Sequence, residues 1–486
     1  MTDFSAPLLK PALPEIFLAI ATLVLMLFGV LRKKEDYNSV ANLGVFLLVV
    51  VGALLFHYSG GTNETFSGMF IADDFGSFMK LLVVGGSAVS ILMSAKYLER
   101  QRIQRFEYPI LILFSTLGML LMISANNLIA LYMGLELQSL PIYVLAAMQR
   151  DTIKSTEAGL KYFVLGALSS GMLLYGASLL YGYSGTTNFN DMALALGAHH
   201  PAPLGVVVGM VLLISGLAFK ISAVPFHMWT PDVYEGAPTS VTAFFAIAPK
   251  IAALALITRV FMGPFGHLVE EWRQVVEVIA IASMALGSVA AIGQKNIKRL
   301  LAYSSIGNMG YALVGLCAAN AEGVKSVMIY AAIYMVTTIG AFAIVLMMKQ
   351  RERMVEEISD LAGLGQKKPM LALAMTIMMF SMAGIPPLAG FFGKLFVFQA
   401  AVGQGLYTLA VIGVLTSVIG AYYYLRIIKV MYFEEAGDDS LDPAKDTRLN
   451  VVLAISTLAV LLFIATPGML LNSADSAAKT LTSKMQ

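Results

Sequence analysis

The chain has 486 residues, of which 58% are hydrophobic and 13% are charged, and its formal net charge is +2. Because soluble domains carry about 25% charged residues, this composition excludes an ordinary soluble enzyme. The sequence also lacks a basic patch with interleaved aromatic residues, so we expect no nucleic-acid partner.

Apolar segments recur along the whole chain, many of them near the roughly 20 residues that a membrane-spanning helix needs. The alternating ten-residue pattern of a membrane β-barrel does not occur. We therefore predict an all-α polytopic membrane protein whose first apolar segment is retained as a helix and not cleaved as a signal peptide. The fourteen predicted spans are 12–31, 40–58, 74–95, 108–124, 127–148, 158–182, 204–231, 237–262, 274–293, 298–318, 325–348, 370–401, 405–432 and 450–470.

The distribution of basic residues predicts the orientation. When each loop is numbered by the span that it follows, the odd-numbered loops and the span ends next to them hold 22 of the 32 Lys and Arg residues, whereas the even loops, the span ends next to them and both tails hold six. Basic loops remain in the cytoplasm. We therefore expect both termini outside the cytoplasm and loops such as 32–38, 96–107 and 349–369 inside it.

Two predicted spans, 204–231 and 370–401, are longer than one straight crossing and carry proline and glycine close to a lysine. Proline removes a backbone hydrogen bond and clashes with the preceding turn. Irregular backbone at membrane depth survives only beside protein or a water-filled cavity. The sequence therefore predicts non-helical backbone near 218–225 and 384–390.

These two spans are the seventh and the twelfth, so they cross the membrane in opposite directions. Matched broken helices of this kind are typical of inverted repeats, here two repeats of five helices formed by spans 4–8 and 9–13. The alternative is that proline and glycine are simply common in membrane helices. The repeat interpretation divides the chain into three N-terminal helices (1–106), a first repeat (107–263), a second repeat (264–433), and a loop with the last helix (434–486).

Apart from charges close to the span ends, five charged residues lie inside the predicted spans: Lys80, Glu136, Lys220, Lys250 and Lys394. A charge at bilayer depth costs roughly 3 kcal/mol or more and usually serves ion or proton traffic. We expect Glu136, Lys220, Lys250 and Lys394 to transfer protons, with a structural ion pair as the alternative for Glu136. We expect Lys220 to be the partner of Glu136, at about 4–6 Å or through water. Lys80 lies near the outer end of its span and is expected to snorkel to the interface.

Other polar residues support weaker hypotheses. His227, two residues after Pro225, is a possible proton relay, or it satisfies an exposed carbonyl. Lys161 is expected to snorkel toward the cytoplasm. His199 and His200 are interpreted as a solvated loop without a third metal ligand. A single cysteine, Cys317, allows no disulfide within the chain and no thiolate or iron–sulfur site, so we expect no metal.

The residues from Lys220 to Pro238 read KISAVPFHMWTPDVYEGAP. This string closely resembles the signature of the antiporter-like membrane subunits of complex I, the proton-pumping NADH:quinone oxidoreductase. Residues 296–306 and 383–394 fit the same family, and the resemblance covers nearly the whole chain. It implies fourteen helices with two inverted repeats, in the bacterial inner membrane, beside other antiporter-like membrane-arm subunits.

The resemblance also implies a function. Proton translocation would be driven by quinone reduction elsewhere in the complex, with Glu136 and Lys220 as the input pair, Lys250 as the central carrier and Lys394 on the output side. It implies no cofactor on this chain, since NADH, flavin, iron–sulfur clusters and quinone are expected on partner subunits. The alternatives are a cation/proton antiporter subunit and a structural spacer of the membrane arm that moves no ions.

Overall fold

The structure is a computed structural model that describes residues 8–32, 37–198, 201–350, 353–435, 441–443 and 445–483. Over these residues the chain is almost entirely helical. The helices are α1 (Leu13–Leu31), α2 (Tyr37–His57), α3 (Asp74–Arg100), α4 (Glu107–Ile123), α5 (Leu128–Ala146), α6 (Ile153–Ser184), α7 (Phe189–Gly197), α8 (Leu204–Lys220), α9 (Trp229–Gly236), α10 (Thr239–Met262), α11 (Val269–Ile292), α12 (Ile297–Cys317), α13 (Ala321–Val345), α14 (Leu364–Lys367), α15 (Pro369–Ala383), α16 (Ala389–Gly403), α17 (Tyr407–Phe433), α18 (Thr447–Leu462) and α19 (Gly468–Thr482).

The remaining regular structure is short and lies in connections. Two 3₁₀ helices cover Lys10–Ala12 and Ile358–Leu361. Strand β1 (Asn63–Thr65) pairs antiparallel with β2 (Phe70–Ala72), with Asn63 opposite Ala72. Strand β3 (Lys349–Gln350) pairs antiparallel with β4 (Arg353–Met354).

Ten of the described helices are long and apolar enough to cross a membrane, which confirms a polytopic all-helical membrane protein. They are α1 with the 3₁₀ turn before it, α2, α3, α5, α6, α10, α11, α12, α13 and α17. Five shorter apolar helices are α4, α8, α15, α16 and α18. Each of the fourteen predicted spans overlaps one of these helices or two consecutive ones. The overlap is expected, because a helix that crosses a membrane needs about 20 apolar residues whether it faces lipid or protein.

The first predicted break is present and lies slightly later than 218–225. Helix α8 ends at Lys220, and α9 begins at Trp229. Two backbone groups freed by the break find side-chain partners: the Trp229 indole N–H donates to the Phe219 carbonyl at 3.0 Å, and the Val224 N–H donates to Ser283 Oγ at 2.9 Å. Protein side chains therefore replace the missing helical hydrogen bonds, as an irregular membrane segment requires.

The second break lies within the predicted 384–390. Helix α15 ends at Ala383, Gly384 adopts a left-handed φ of 84°, and α16 begins at Ala389. Only glycine takes up this conformation without strain. Gly390 then brings α16 against α15 so closely that a Cβ there would lie 1.8 Å from the Ser381 carbonyl oxygen. The two half-helices are therefore held at a fixed mutual position.

The centre of the molecule is α10, in which every residue is buried. It contacts α3, α4, α5, α8, α12 and α13. Outer helices such as α2 and α17 expose large apolar side chains, for example Phe46 and Val418, on one face. The lysine on α10 is therefore enclosed by protein, whereas the outer helices present the surface that lipid would cover.

The structure contradicts the expectation that Lys80 snorkels. Its side chain is 3% exposed, and its Nζ pairs with Glu15 Oε1 on α1 at 2.5 Å. The expectation failed because the partner is 65 residues away in sequence. Lys161 is 41% exposed and pairs with Glu157 and Asp232, and Cys317 is buried. His199 and His200 lie outside the described residues.

Candidate functional site

Lys220 lies at the last residue of α8 and faces α5. Its Nζ donates to Ser139 Oγ at 2.8 Å and to the Tyr143 hydroxyl at 3.5 Å. Glu136 lies one turn before Ser139, on the same face of α5, and its carboxylate accepts a hydrogen bond from Ser170 Oγ of α6. Within the described part of the chain no direct ion pair joins Glu136 to Lys220, so the hydroxyl of Ser139 stands closer to the lysine than the carboxylate does.

Lys250 follows Pro249 in the middle of α10 and is 1% exposed. Its Nζ donates to Ser305 Oγ at 2.5 Å, and Ser305 shares a hydrogen bond of 2.7 Å with the Tyr334 hydroxyl. The ammonium also lies 5.3 Å from the centre of the Tyr234 ring. Among the described residues no carboxylate pairs with Lys250, so hydroxyl and ring contacts are its polar surroundings.

A row of polar side chains, which we call the α12 polar seam, follows one face of α12. It consists of Ser304, Ser305, Asn308 and Tyr311, whose spacing places them on adjoining turns. Each one hydrogen-bonds to a neighbouring helix. The partners are Tyr424 for Ser304 (2.5 Å), Tyr334 for Ser305 (2.7 Å), Tyr330 for Asn308 (2.7 Å) and Thr416 for Tyr311 (3.4 Å).

Our sequence analysis missed this seam because none of its members is charged. The available signal was the string YSSIGNMGY at 303–311, in which polar residues recur at helical spacing inside an apolar span. A polar stripe on a lone membrane helix indicates a face turned toward protein, but its partners become visible only in the fold.

Lys394 lies in α16, close to the second break. Its Nζ donates to the carbonyls of Met382 and Ala383 at 3.1 and 3.0 Å and to Ser417 Oγ at 2.8 Å, and it lies 4.7 Å from the centre of the Tyr311 ring. These carbonyls form the C-terminal end of α15, which favours a positive charge. Lys394 thus binds one end of the broken helix and touches the last member of the α12 polar seam.

A small cavity joins the seam to Lys394. Its volume is about 20 Å³, and its lining includes Asn308, Tyr330, Tyr334 and Lys394. A cavity needs roughly 10–15 Å³ to hold one water molecule, and this lining offers several polar partners. The space between Tyr334 and Lys394 can therefore accommodate a single bridging water.

His227 lies in the irregular segment between α8 and α9 but hydrogen-bonds to none of the four lysines. Its Nδ1 is buried and has no hydrogen-bond partner within the described residues. The same holds for Ser222 Oγ, Thr230 Oγ1 and the Tyr234 hydroxyl. Since buried polar groups are normally satisfied by protein or water, four such groups in thirteen residues indicate a segment suited to water.

A cluster of ion pairs, the α9 rim, surrounds the end of α9. Asp232 accepts from Lys161 and Arg299, both at 2.8 Å, and Glu235 accepts from Lys154 at 2.9 Å and Arg299 at 3.1 Å. The cluster lines a cavity of about 130 Å³. Cations at hydrogen-bond distance stabilise the ionised form of both carboxylates. The rim therefore keeps its carboxylates ionised near neutral pH.

Two buried ion pairs lie near the N-terminal end of α3. Besides Lys80 with Glu15, Asp73 receives two hydrogen bonds of 2.8 Å from Arg259 of α10. The Arg259 Nε also donates to the Ile123 carbonyl at 2.7 Å. Arg259 lies in the last turn of α10, inside the predicted span 237–262, and it is buried. These contacts join α3, α4 and α10.

A metal centre is not evident. No group of three or more His, Cys, Asp or Glu side chains suited to hold a metal ion occurs in the described ranges. Lys250 and Lys394 are instead connected by the hydroxyl, amide and aromatic side chains of the α12 polar seam.

Comparison with known proteins identifies the family. The family described as NADH:quinone oxidoreductase/Mrp antiporter, transmembrane, matches residues 125–420. A Paramagnetospirillum magneticum protein named NADH-quinone oxidoreductase subunit N is 55% identical over 477 residues, covering 97% of this chain and 98% of the relative. A chain of the respiratory complex I from Thermus thermophilus with bound aureothin shares 31% identity at a TM-score of 0.82, covering 96% of this chain and 100% of that one.

A chain of the Mrp complex from Dietzia sp. DQ12-45-1b has a TM-score of 0.83 at 21% identity, covering 98% of each chain. At that identity the likeness shows a shared fold alone. Together these findings confirm the resemblance drawn from residues 220–238. The chain belongs to the NADH:quinone oxidoreductase/Mrp antiporter family of membrane proteins, and curated relatives that match it over nearly their full length are N subunits of NADH-quinone oxidoreductase.

Proposed function

We propose that this chain is a membrane-arm subunit of a proton-pumping NADH:quinone oxidoreductase and that it moves protons through its interior lysines. Identity of 55% to an N subunit over almost the whole chain supports its place in the complex. The observation that carries the mechanism is the α12 polar seam, which extends from Lys250 to Lys394. NADH, flavin, iron–sulfur clusters and quinone belong to partner subunits, and antiporter-like subunits are its neighbours in the arm.

We assign the chain fourteen crossings. Ten are the long helices, two are α4 and α18, and two are the broken pairs α8–α9 and α15–α16. The crossings from α4 to α10 and from α11 to α17 then form two five-helix repeats of opposite direction, each with its fourth crossing broken. With the basic loops in the cytoplasm, both termini lie outside the bacterial inner membrane.

In this scheme protons enter from the cytoplasm at the α9 rim. The rim cavity of about 130 Å³ opens beside Asp232 and Glu235. Further along this route lie the hydroxyls of Thr230 and Tyr234, which have no hydrogen-bond partner within the described residues. The Tyr234 ring lies 5.3 Å from the Lys250 ammonium. Three carboxylates and three cations line this cavity, so its walls are polar and charge-balanced and suit water that carries the entering proton.

Glu136 and Lys220 act as the switch. Opposite charges stabilise each other, so an ionised Glu136 draws the Lys220 ammonium toward α5, where Ser139 and Tyr143 receive it. A neutral Glu136 releases Lys220, whose positive charge then acts on Lys250. Burial already penalises a charge on Lys250, so this added repulsion expels its proton. His227 lies beside the break and is the candidate relay between water and the lysines.

The proton leaving Lys250 has a continuous route. Ser305 and Tyr334 carry hydroxyls that both donate and accept, so each can pass a proton on. The cavity of about 20 Å³ bridges Tyr334 to Lys394. Lys394 is stabilised as a cation by the carbonyl end of α15, which makes it the acceptor on the output side.

The test is proton pumping by the assembled complex in membrane vesicles, measured per quinone reduced. Glu136→Gln keeps the size and the hydrogen bond to Ser170 but removes the charge, so we expect less pumping with normal assembly. Glu322→Gln is the matched control, since Glu322 is 68% exposed at the start of α13. Unchanged pumping by Glu136→Gln would remove the switch and favour the structural-spacer interpretation.

A further inference from the structure

An apolar groove lies between the exposed faces of α15 and α18 on the outer surface of the molecule. Its volume is about 740 Å³, and it opens between α15 side chains such as Met370 and Leu373 and α18 side chains such as Leu453, Leu458 and Leu461. Met370 is 75% exposed and Leu458 is 54% exposed. The groove is therefore an unfilled apolar surface of a size typical of ligand sites, which measure about 300–1,000 Å³.

The groove has the length of one membrane leaflet. Along α18 it extends from Asn450 to Leu461, on one face of the helix. At 1.5 Å per residue this is about 16 Å. One leaflet contributes roughly half of the 30 Å hydrocarbon core. A hydrocarbon chain that enters at the membrane surface would therefore reach the end of the groove near the bilayer midplane.

Basic residues are concentrated at one end of the groove. Lys367, Lys368 and Lys445 line it there, together with the amide of Asn450, and all three lysines are exposed. In the part of the chain that the structure describes, none of them forms an ion pair with a carboxylate. Both α15 and α18 begin at this end, so the groove joins three unpaired cations to an apolar channel.

We propose that this groove binds an anionic glycerophospholipid, with its phosphate at the three lysines and an acyl chain between α15 and α18. Basic pockets between membrane helices on the cytoplasmic side recognise anionic headgroups in this way. On the orientation proposed above, the lipid belongs to the cytoplasmic leaflet. A helix of a partner subunit fits less well, because it would cross both leaflets whereas the groove spans one, and because it offers no anion to the lysines.

The experiment uses the assembled complex in phosphatidylcholine vesicles that contain a trace of photoactivatable phosphatidylglycerol or, in parallel, photoactivatable phosphatidylcholine. After irradiation, mass spectrometry maps the lipid adducts. We expect adducts on α15 and α18 peptides from phosphatidylglycerol well in excess of those from phosphatidylcholine. The double variant Lys367→Gln/Lys368→Gln should lower the phosphatidylglycerol signal at least about fivefold, the factor that one lysine near an anionic headgroup supplies.

Two variants separate charge from shape. Lys295→Gln/Lys429→Gln removes the same charge from two exposed lysines that do not line the groove, and labelling should not change. Leu458→Trp narrows the groove but leaves the lysines in place, so it should lower the adducts from either lipid. Equal labelling by the two lipids, or labelling that Leu458→Trp leaves unchanged, would overturn the proposal. Absence of any groove adduct in the assembled complex would overturn it in favour of a covering partner subunit.

Discussion

Replacement of Arg259 by methionine should loosen the contact between α3 and α10. Arg259 and Asp73 are only 4% and 2% exposed, and two hydrogen bonds of 2.8 Å join them. Without the guanidinium, the Gly76 N–H, at 2.7 Å, is the one hydrogen-bond donor to the Asp73 carboxylate that remains among the described residues. Removal of one member of such a buried pair costs about 3–5 kcal/mol, because the other charge remains unpaired.

A double variant isolates the pair. Asp73→Asn/Arg259→Met removes both charges and keeps a side chain that can cap α3 at Asp73. Since replacing a whole buried pair is often nearly neutral, we expect the double variant to recover at least ~2 kcal/mol relative to Arg259→Met. Lys154→Met is the control. It breaks an ion pair in which Lys154 is 74% exposed, and such surface pairs contribute about 0–1 kcal/mol.

Hydrogen exchange of the assembled complex measures these differences locally. If opening of the first turns of α3 becomes easier by about 3–5 kcal/mol, their amides should exchange about 150- to 5,000-fold faster in Arg259→Met. Peptides from α17 should exchange as before, since α17 does not contact this pair. Equal protection of α3 in Arg259→Met and the unaltered protein would refute the reasoning that the charge pair holds α3 to α10.

Two further predictions concern orientation and the second break. An impermeant maleimide should label Thr62→Cys but not Asn38→Cys in intact cells, because in the proposed orientation Thr62 lies in an outside loop and Asn38 at the cytoplasmic end of α2. Native Cys317 is buried and contributes little background labelling. The reverse labelling pattern would show that the topology is inverted. Gly390→Ala should lower proton pumping and thermal stability, because the added Cβ would lie 1.8 Å from the Ser381 carbonyl oxygen and push α16 away from α15. Gly403→Ala is the control and should change neither quantity, since no atom lies within 4 Å of its Cβ. Normal pumping by Gly390→Ala would show that the close approach is dispensable.

Hydropathy and backbone chemistry predicted the helices well because both act locally. The apolar composition of a span can be read from its own residues. Pro225, Pro386 and Gly384 likewise interrupt a helix whichever other helices pack against it. The breaks therefore appeared where the sequence indicated them, displaced by a few residues for α8. The charge pattern of the loops is equally local, which is why it yields a prediction of orientation before any contact is known.

Contacts between helices were not predictable in the same way. The sequence predicted that Glu136 and Lys220 face each other, but it could not predict their nearest hydrogen-bond partners, which are the Ser139 hydroxyl for Lys220 and the Ser170 hydroxyl for Glu136. Lys80 of α3 pairs with Glu15 of α1, a contact that the sequence does not reveal. The α12 polar seam escaped notice because Ser, Asn and Tyr carry no charge, and their function depends on which helices face them.

The central claim is that a proton occupies Lys250 during each pumping cycle, and proton pumping per quinone reduced in Lys250→Met tests it most directly. Methionine preserves the bulk in a site that is 1% exposed, so the complex should assemble, reduce quinone and yet pump fewer protons. Lys250→Arg should also fail, because arginine retains its charge throughout the cycle. Full pumping by Lys250→Met, in a complex shown to be fully assembled, would contradict the account.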